Sequence, residues 1–208
     1  MKRLVVIAAC VTACACSTPN NTPRPETVGA PQAPPAMSSA AGGSVAGQVA
    51  GSGTAVVVLE PKGVRAFPAP DEKPVMDQAG LTFGPELLLV RTGFPVEFRN
   101  SDDTLHNVRV SHEETRTSAF NVAIPTGESY TYTFERDGFY RVGCDIHPAM
   151  AASVFAASTP FTMLADGSGH FAFADVPAGS WTVTVYTNGK RLHHDVEVTG
   201  GVTNVTIE

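Results

Sequence analysis

From residue 44 to the end of the chain, apolar positions do not recur with a helical period. They alternate with polar ones or gather in short β-branched runs, and Gly, Pro, Asn and Asp stand between the runs. Alternation over four to eight residues marks a strand with one wet face. Such runs fall at residues 44–49, 54–59, 86–90, 95–99, 107–111, 119–124, 129–134, 138–143, 152–156, 161–164, 170–173, 180–186, 192–198 and 202–207. Many short strands at regular spacing predict sandwiches or barrels rather than helices laid over a parallel sheet. The chain is therefore expected to be all-β, and this many strands predict two small β units. Two turns punctuate the last third, Ala165-Asp166-Gly167-Ser168-Gly169 and Asp175-Val176-Pro177-Ala178-Gly179, each with the residues that tight turns favour. Ser158-Thr159-Pro160, just upstream, is the expected boundary between the units.

The first 43 residues follow another pattern. Lys2 and Arg3 precede a compact apolar stretch, residues 4–13, long enough for a secretory signal and too short to span a bilayer. Val11-Thr12-Ala13-Cys14 then has the form of a bacterial lipobox. Cys14 is the expected lipidation site, with Cys16 as the alternative. Acylation by several chains would give stable anchoring, and Ala15 after Cys14 suits the outer membrane better than the inner. Residues 14–43 carry six prolines (Pro19, Pro23, Pro25, Pro31, Pro34 and Pro35) and almost no large apolar side chain. Such a segment cannot bury enough surface to fold and reads as a tether with a reach of roughly 30 Å or more. The 208-residue chain has a formal net charge of −6, from 14 basic and 20 acidic residues. An acidic body with scattered Lys and Arg argues against a nucleic-acid binder and against a polybasic membrane-surface protein.

Of four cysteines, Cys10, Cys14 and Cys16 lie in the leader region, and Cys144 alone remains for the body. A lone thiol in an exported domain is inert, reactive or metal-bound. Its surroundings point to metal. Cys144-Asp145-Ile146-His147-Pro148-Ala149-Met150 puts a thiolate, an imidazole and a thioether in one short loop after a strand, and His106 opens another strand 38 residues earlier. One Cys, two His and one Met are the donors of a blue-copper site, a His₂Cys plane with a weak axial Met. Thiolate and thioether suit Cu(I), and imidazole suits both copper states. A zinc site would rarely use Met. The other histidines read blandly. His112 is expected in a surface loop, His170 exposed at a strand start, and His193 and His194 on opposite faces of one strand. Asp102-Asp103 reads as a turn, and Trp181 as core. No Ser-His-Asp arrangement with motif support, phosphate-cradling loop or nucleotide signature is present.

The stretches PVEFRNSDDTLHNVRV and GCDIHPAM resemble the cupredoxins, and most closely the amicyanin and plastocyanin-like group, over about residues 74–156. The resemblance implies a Greek-key β-sandwich over residues 74–157 with one type 1 copper. Carried over by position, His106, Cys144 and His147 would be the strong equatorial ligands and Met150 the axial one. It further implies that Asn107 ties the two ligand loops together and turns its backbone N–H toward the cysteine sulfur, a contact that would tune the metal. Residues 158–208 resemble a carboxypeptidase regulatory-like domain, a small transthyretin-like β-sandwich. Asp166-Gly167, Gly169, Phe171, Phe173 and Val176-Pro177-Ala178-Gly179 carry that likeness. Strands like those within residues 44–73 usually open that family, so the copper unit is expected to be inserted into, or packed against, a split sandwich. The combination resembles bacterial plastocyanins described as methylamine-utilisation-like.

The resulting expectation is a lipid-anchored periplasmic protein that carries single electrons through copper and has no enzymatic activity of its own. Its partners would be redox proteins such as cytochromes or copper oxidases and reductases. A copper-delivery protein and a structural surface lipoprotein with a cupredoxin fold are the alternatives.

Overall fold

The computed structural model describes residues 42–51 and 53–208, and no helix occurs among them. The leader, Cys14, Cys16 and nearly all of the expected tether lie outside the described residues. The chain runs through β1 (Gly43–Val49), β2 (Ala55–Pro61), β3 (Val75–Ala79), β4 (Thr82–Gly84), β5 (Leu87–Arg91), β6 (Pro95–Asn100), β7 (His106–His112) and β8 (Ser118–Ile124). It continues through β9 (Ser129–Thr133), β10 (Gly138–Gly143), β11 (Ala151–Ala157), β12 (Thr162–Leu164), β13 (His170–Val176), β14 (Gly179–Thr187), β15 (Lys190–Val198) and β16 (Gly201–Ile207).

These strands make four sheets, in the orders β4-β3-β6-β9, β5-β11-β10-β7-β8, β13-β1-β16 and β12-β2-β14-β15. The first two face each other across one core, built from residues such as Met76, Phe98, Val108, Val110, Phe134, Val142 and Val154. The other two enclose a second core around Val45, Val57, Leu59, Phe173, Trp181, Val183 and Val185. Alternation explains both, since in β7 Val108 and Val110 point inward and Arg109 outward. Each such buried side chain contributes about 1.5–3 kcal/mol of transfer free energy.

The chain begins in the second sandwich, crosses over after β2, builds the whole first sandwich from β3 to β11, and returns through Ser158-Thr159-Pro160 to β12. Because β12 pairs antiparallel with β2, the two ends of the excursion meet on neighbouring strands. The Asp137 carboxylate fastens the return. It accepts the Ser158 N–H at 3.0 Å, the Ser158 hydroxyl at 2.8 Å and the Thr92 hydroxyl at 2.5 Å. A third apolar cluster joins the sandwiches: Val56 and Val58 of β2 pack with Phe155 and Ala157 of β11, flanked by Leu87, Leu89, Phe139 and Tyr186. The Phe155 ring lies 4.7 Å from Phe139 and 4.9 Å from Tyr186, edge to face in both pairs. This second buried face is why β2 reads as a continuous apolar run, AVVVL, rather than an alternating one.

Three local expectations need correction. Gly43 is the first residue of β1, so it does not belong to the tether. Strands β3 and β4 leave no alternating pattern in the sequence. β3 buries Gln78 alongside Met76, which breaks the apolar period, and β4 is only three residues long. His112 is not a surface-loop residue; it ends β7 with 5% exposure, its ring edge-on to Tyr140 and its Nε2 3.2 Å from the Asp137 carbonyl.

Candidate metal centre

The site lies at one end of the first sandwich, where β7 begins and β10 hands over to β11. Gly143 and Ala151 still pair across β10 and β11, so residues 144–150 form a hairpin loop. The loop is tied at its base: the Cys144 N–H donates to the Met150 carbonyl at 3.3 Å, and the Met150 N–H donates to the His147 carbonyl at 2.9 Å. On the facing strand, His106 opens β7 and pairs with Ile124 of β8. Short spacing within the loop and rigid pairing on both sides bring these residues to one point.

Three donor atoms meet there. The Nδ1 atoms of His106 and His147 are 3.0 Å apart, and the Cys144 Sγ is 3.8 Å from the first and 3.9 Å from the second. His106, Cys144 and His147 are the group of His, Cys, Asp and Glu side chains that could hold a metal ion among the described residues. Imidazole–metal bonds of about 2.0 Å and thiolate–metal bonds of about 2.3 Å let one cation reach all three corners. Every side of the triangle is shorter than the two bonds that would span it. His106 is fully buried, Cys144 and Met150 nearly so, and His147 is half-buried at the rim. Met150 closes the loop within the same apolar core.

The groups around the triangle prepare it for a cation. His106 Nε2 donates to the Asp102 Oδ2 at 2.8 Å, which leaves the Nδ1 lone pair facing the site. Asp102 is held in turn by the Leu81 N–H at 3.0 Å and the Gly80 N–H at 2.5 Å. The Leu81 hydrogen bond, with the His106 contact next, keeps its carboxyl below the usual range. Burial pushes the Cys144 thiol upward and is the largest single influence. Hydrogen bonds from the backbone of Asn107, from the His106 ring and from the backbone of His147 and Ile146 outweigh it and hold the thiol below its ordinary value. The thiolate is the metal-binding form.

Asn107 spans the gap between strand and loop. Its Oδ1 accepts the Asp145 N–H at 2.6 Å, the Ile146 N–H at 3.4 Å and the Cys144 thiol at 3.3 Å. Its Nδ2 donates to Asn121 Oδ1 at 2.8 Å and to Asp145 Oδ2 at 3.1 Å.

Residues 71–156 match the family model of the copper binding proteins, plastocyanin/azurin family. The plastocyanin/azurin-like stretch thus contains the whole triangle, Met150 and Asn107. Among solved structures, a reduced amicyanin mutant is 24% identical over 43% of this chain and 86% of its own, with a TM-score of 0.38. A second reduced amicyanin mutant is 22% identical over 48% of this chain and 99% of its own, with a TM-score of 0.38. A Cu-containing nitrite reductase from Thermus scotoductus SA-01 is 26% identical over 48% of this chain and 26% of its own, with a TM-score of 0.39. No curated protein matches the chain.

Of the four residues proposed from spacing, His106, Cys144 and His147 meet at one end of the first sandwich, while Met150 lies buried at the end of the same loop and Asn107 joins that loop to β7. Asp102 went unrecognised as more than a turn residue. The only signal for it was a carboxylate four residues before His106. His170 is exposed at the start of β13, near Asp166, and Trp181 is fully buried. His193 points its Nδ1 at the Thr184 hydroxyl, 3.1 Å away and remote in the fold from the triangle.

Proposed function

We propose that the protein holds one type 1 copper on His106, Cys144 and His147, with Met150 as the weak fourth donor, and that it carries single electrons between redox partners. The observation that carries this reading is the triangle itself: two imidazole nitrogens and one hydrogen-bonded thiol converge within 3.9 Å of one another inside a stretch that matches a copper-binding family. Copper bound there would cycle between Cu(I) and Cu(II). The chain's part is to hold the donors still. Asp102 keeps His106 from rotating, Asn107 and the hairpin pairing fix Cys144, and burial keeps water from the sulfur. A ligand set that satisfies both oxidation states with little movement favours fast transfer.

His147 is the half-buried corner and the natural door for the electron. Ile146, 47% exposed, and the exposed Pro148 and Ala149 flank it in the chain, and Leu105, also 47% exposed, precedes His106. Such a small apolar rim suits a brief, weakly packed encounter with cytochromes or copper oxidases and reductases. Secretion and lipidation at Cys14, or at Cys16, would place the sandwich in the periplasm on a tether from the outer membrane.

The test is repeated reduction and reoxidation of the copper-loaded chain with a one-electron reagent pair, with self-exchange measured in the same sample. Fast, fully reversible cycling that is lost in Cys144→Ser is expected. Tight Cu(I) binding with sluggish exchange would instead make the protein a copper carrier.

A further inference from the structure

The Asp145 carboxylate sits directly after the Cys144 thiol and is engaged on both oxygens. Its Oδ1 takes the Arg109 Nε–H at 2.7 Å, and its Oδ2 takes amide N–H groups from Asn121 at 3.0 Å and Asn107 at 3.1 Å. Arg109 lies over the end of β10, across from the residue that precedes the Cys144 loop. Gly143 is the cross-strand partner of Arg109, and a Cβ there would lie 3.4 Å from Arg109 Nη2. The carboxylate also decides which way the Asn107 amide points. An anion accepts only, so it takes the NH₂ end and leaves the oxygen for the backbone N–H groups of Asp145 and Ile146.

We propose that Asp145 is the positioning residue of this site: it orients Asn107, thereby fixes the Cys144 loop to β7, and has its charge beside the thiolate compensated by Arg109. The spacing CDIHPAM gives no hint of this, since Asp145 acts through residues on β7 and β8. The pair is about half exposed, 52% for Arg109 and 49% for Asp145. Exposed ion pairs add little to global stability. The consequence is therefore local order and local charge rather than a more stable fold.

Two readouts separate these roles in Asp145→Asn, Arg109→Gln and the double variant of the full chain. The first needs no metal: amide hydrogen exchange of the metal-free protein. In Asp145→Asn, protection at residues 145 and 146 should fall about tenfold, the loss expected when hydrogen bonds to a charged group are removed. The amides of β10 should keep theirs, and Arg109→Gln should show the smaller loss. Unchanged protection at 145 and 146, or an equal loss across the sheet, overturns the positioning claim. The second readout rests on the copper reading. The reduction potential should rise in Asp145→Asn, fall in Arg109→Gln and return near the wild-type value in the double variant. Shifts of the same sign in both single variants overturn the charge claim. Failure of the wild-type chain to take up copper would refute the proposed function, while the exchange result would still judge the positioning of the loop.

Discussion

Asp102 does two jobs with one carboxylate. It closes the turn after β3 through the Gly80 and Leu81 N–H groups and steadies His106 through Nε2. A ligand histidine whose second nitrogen is held by a carboxylate keeps its tautomer and its aim, and removing such a partner typically costs 10–100-fold in affinity. Asp102→Ala should therefore weaken copper binding by about 10–100-fold, measured by competition with a chelator of known affinity. Unchanged affinity would mean that packing alone holds His106. The triangle was legible in the sequence because Cys144 and His147 share one loop and His106 opens a strand. Asp102, Arg109, Asn121 and Asp145 were not, because their roles arise from a turn and from cross-strand register, and neither leaves a period in the sequence. His112 misled for the opposite reason. Its neighbours are polar, yet its own ring turns inward against Tyr140.

At the scale of elements, alternation located most strands, and it failed where a strand buries a polar residue or is very short. Gln78 in β3 is fully buried and gives its amide N–H to the Arg99 carbonyl at 3.3 Å, so its polarity conceals an inward position. Close approach is equally hard to read. Gly47 lies where β1 pairs with both β13 and β16, and a Cβ there would come within 2.4 Å of the Val205 carbonyl and 2.6 Å of the Phe171 ring. Gly47→Ala should cost about 1–3 kcal/mol as overpacking. That lowers the thermal midpoint by roughly 2–10 °C. The metal centre should be untouched, since the core around Val45 and Trp181 is separate from the one that holds Cys144. A calorimetric scan with a copper spectrum of the same sample checks both halves. A midpoint unchanged from wild type would mean that the sheet yields freely at this position.

At the scale of the molecule, the described residues carry one sandwich as an excursion between two neighbouring strands of another. The number of short strands predicts two units, and the structure pairs the opening strands β1 and β2 with β12, β13, β14 and β16 of the last third. The contact between the units was not visible in the sequence, because Val56, Val58, Phe155 and Tyr186 are ordinary strand residues until the sheets are stacked. Burial of that shared face offers the first sandwich a fixed base, while residues 145, 146, 148 and 149 of the Cys144 loop stay exposed. On the reading proposed above, the triangle of His106, Cys144 and His147 binds copper through the thiolate. The most direct measurement is the visible and EPR spectrum of the full chain titrated with Cu(II). An intense band near ~600 nm with narrow copper hyperfine splitting, saturating at one equivalent and absent in Cys144→Ser, is the predicted result. Weak d–d bands alone, or no binding, would contradict it.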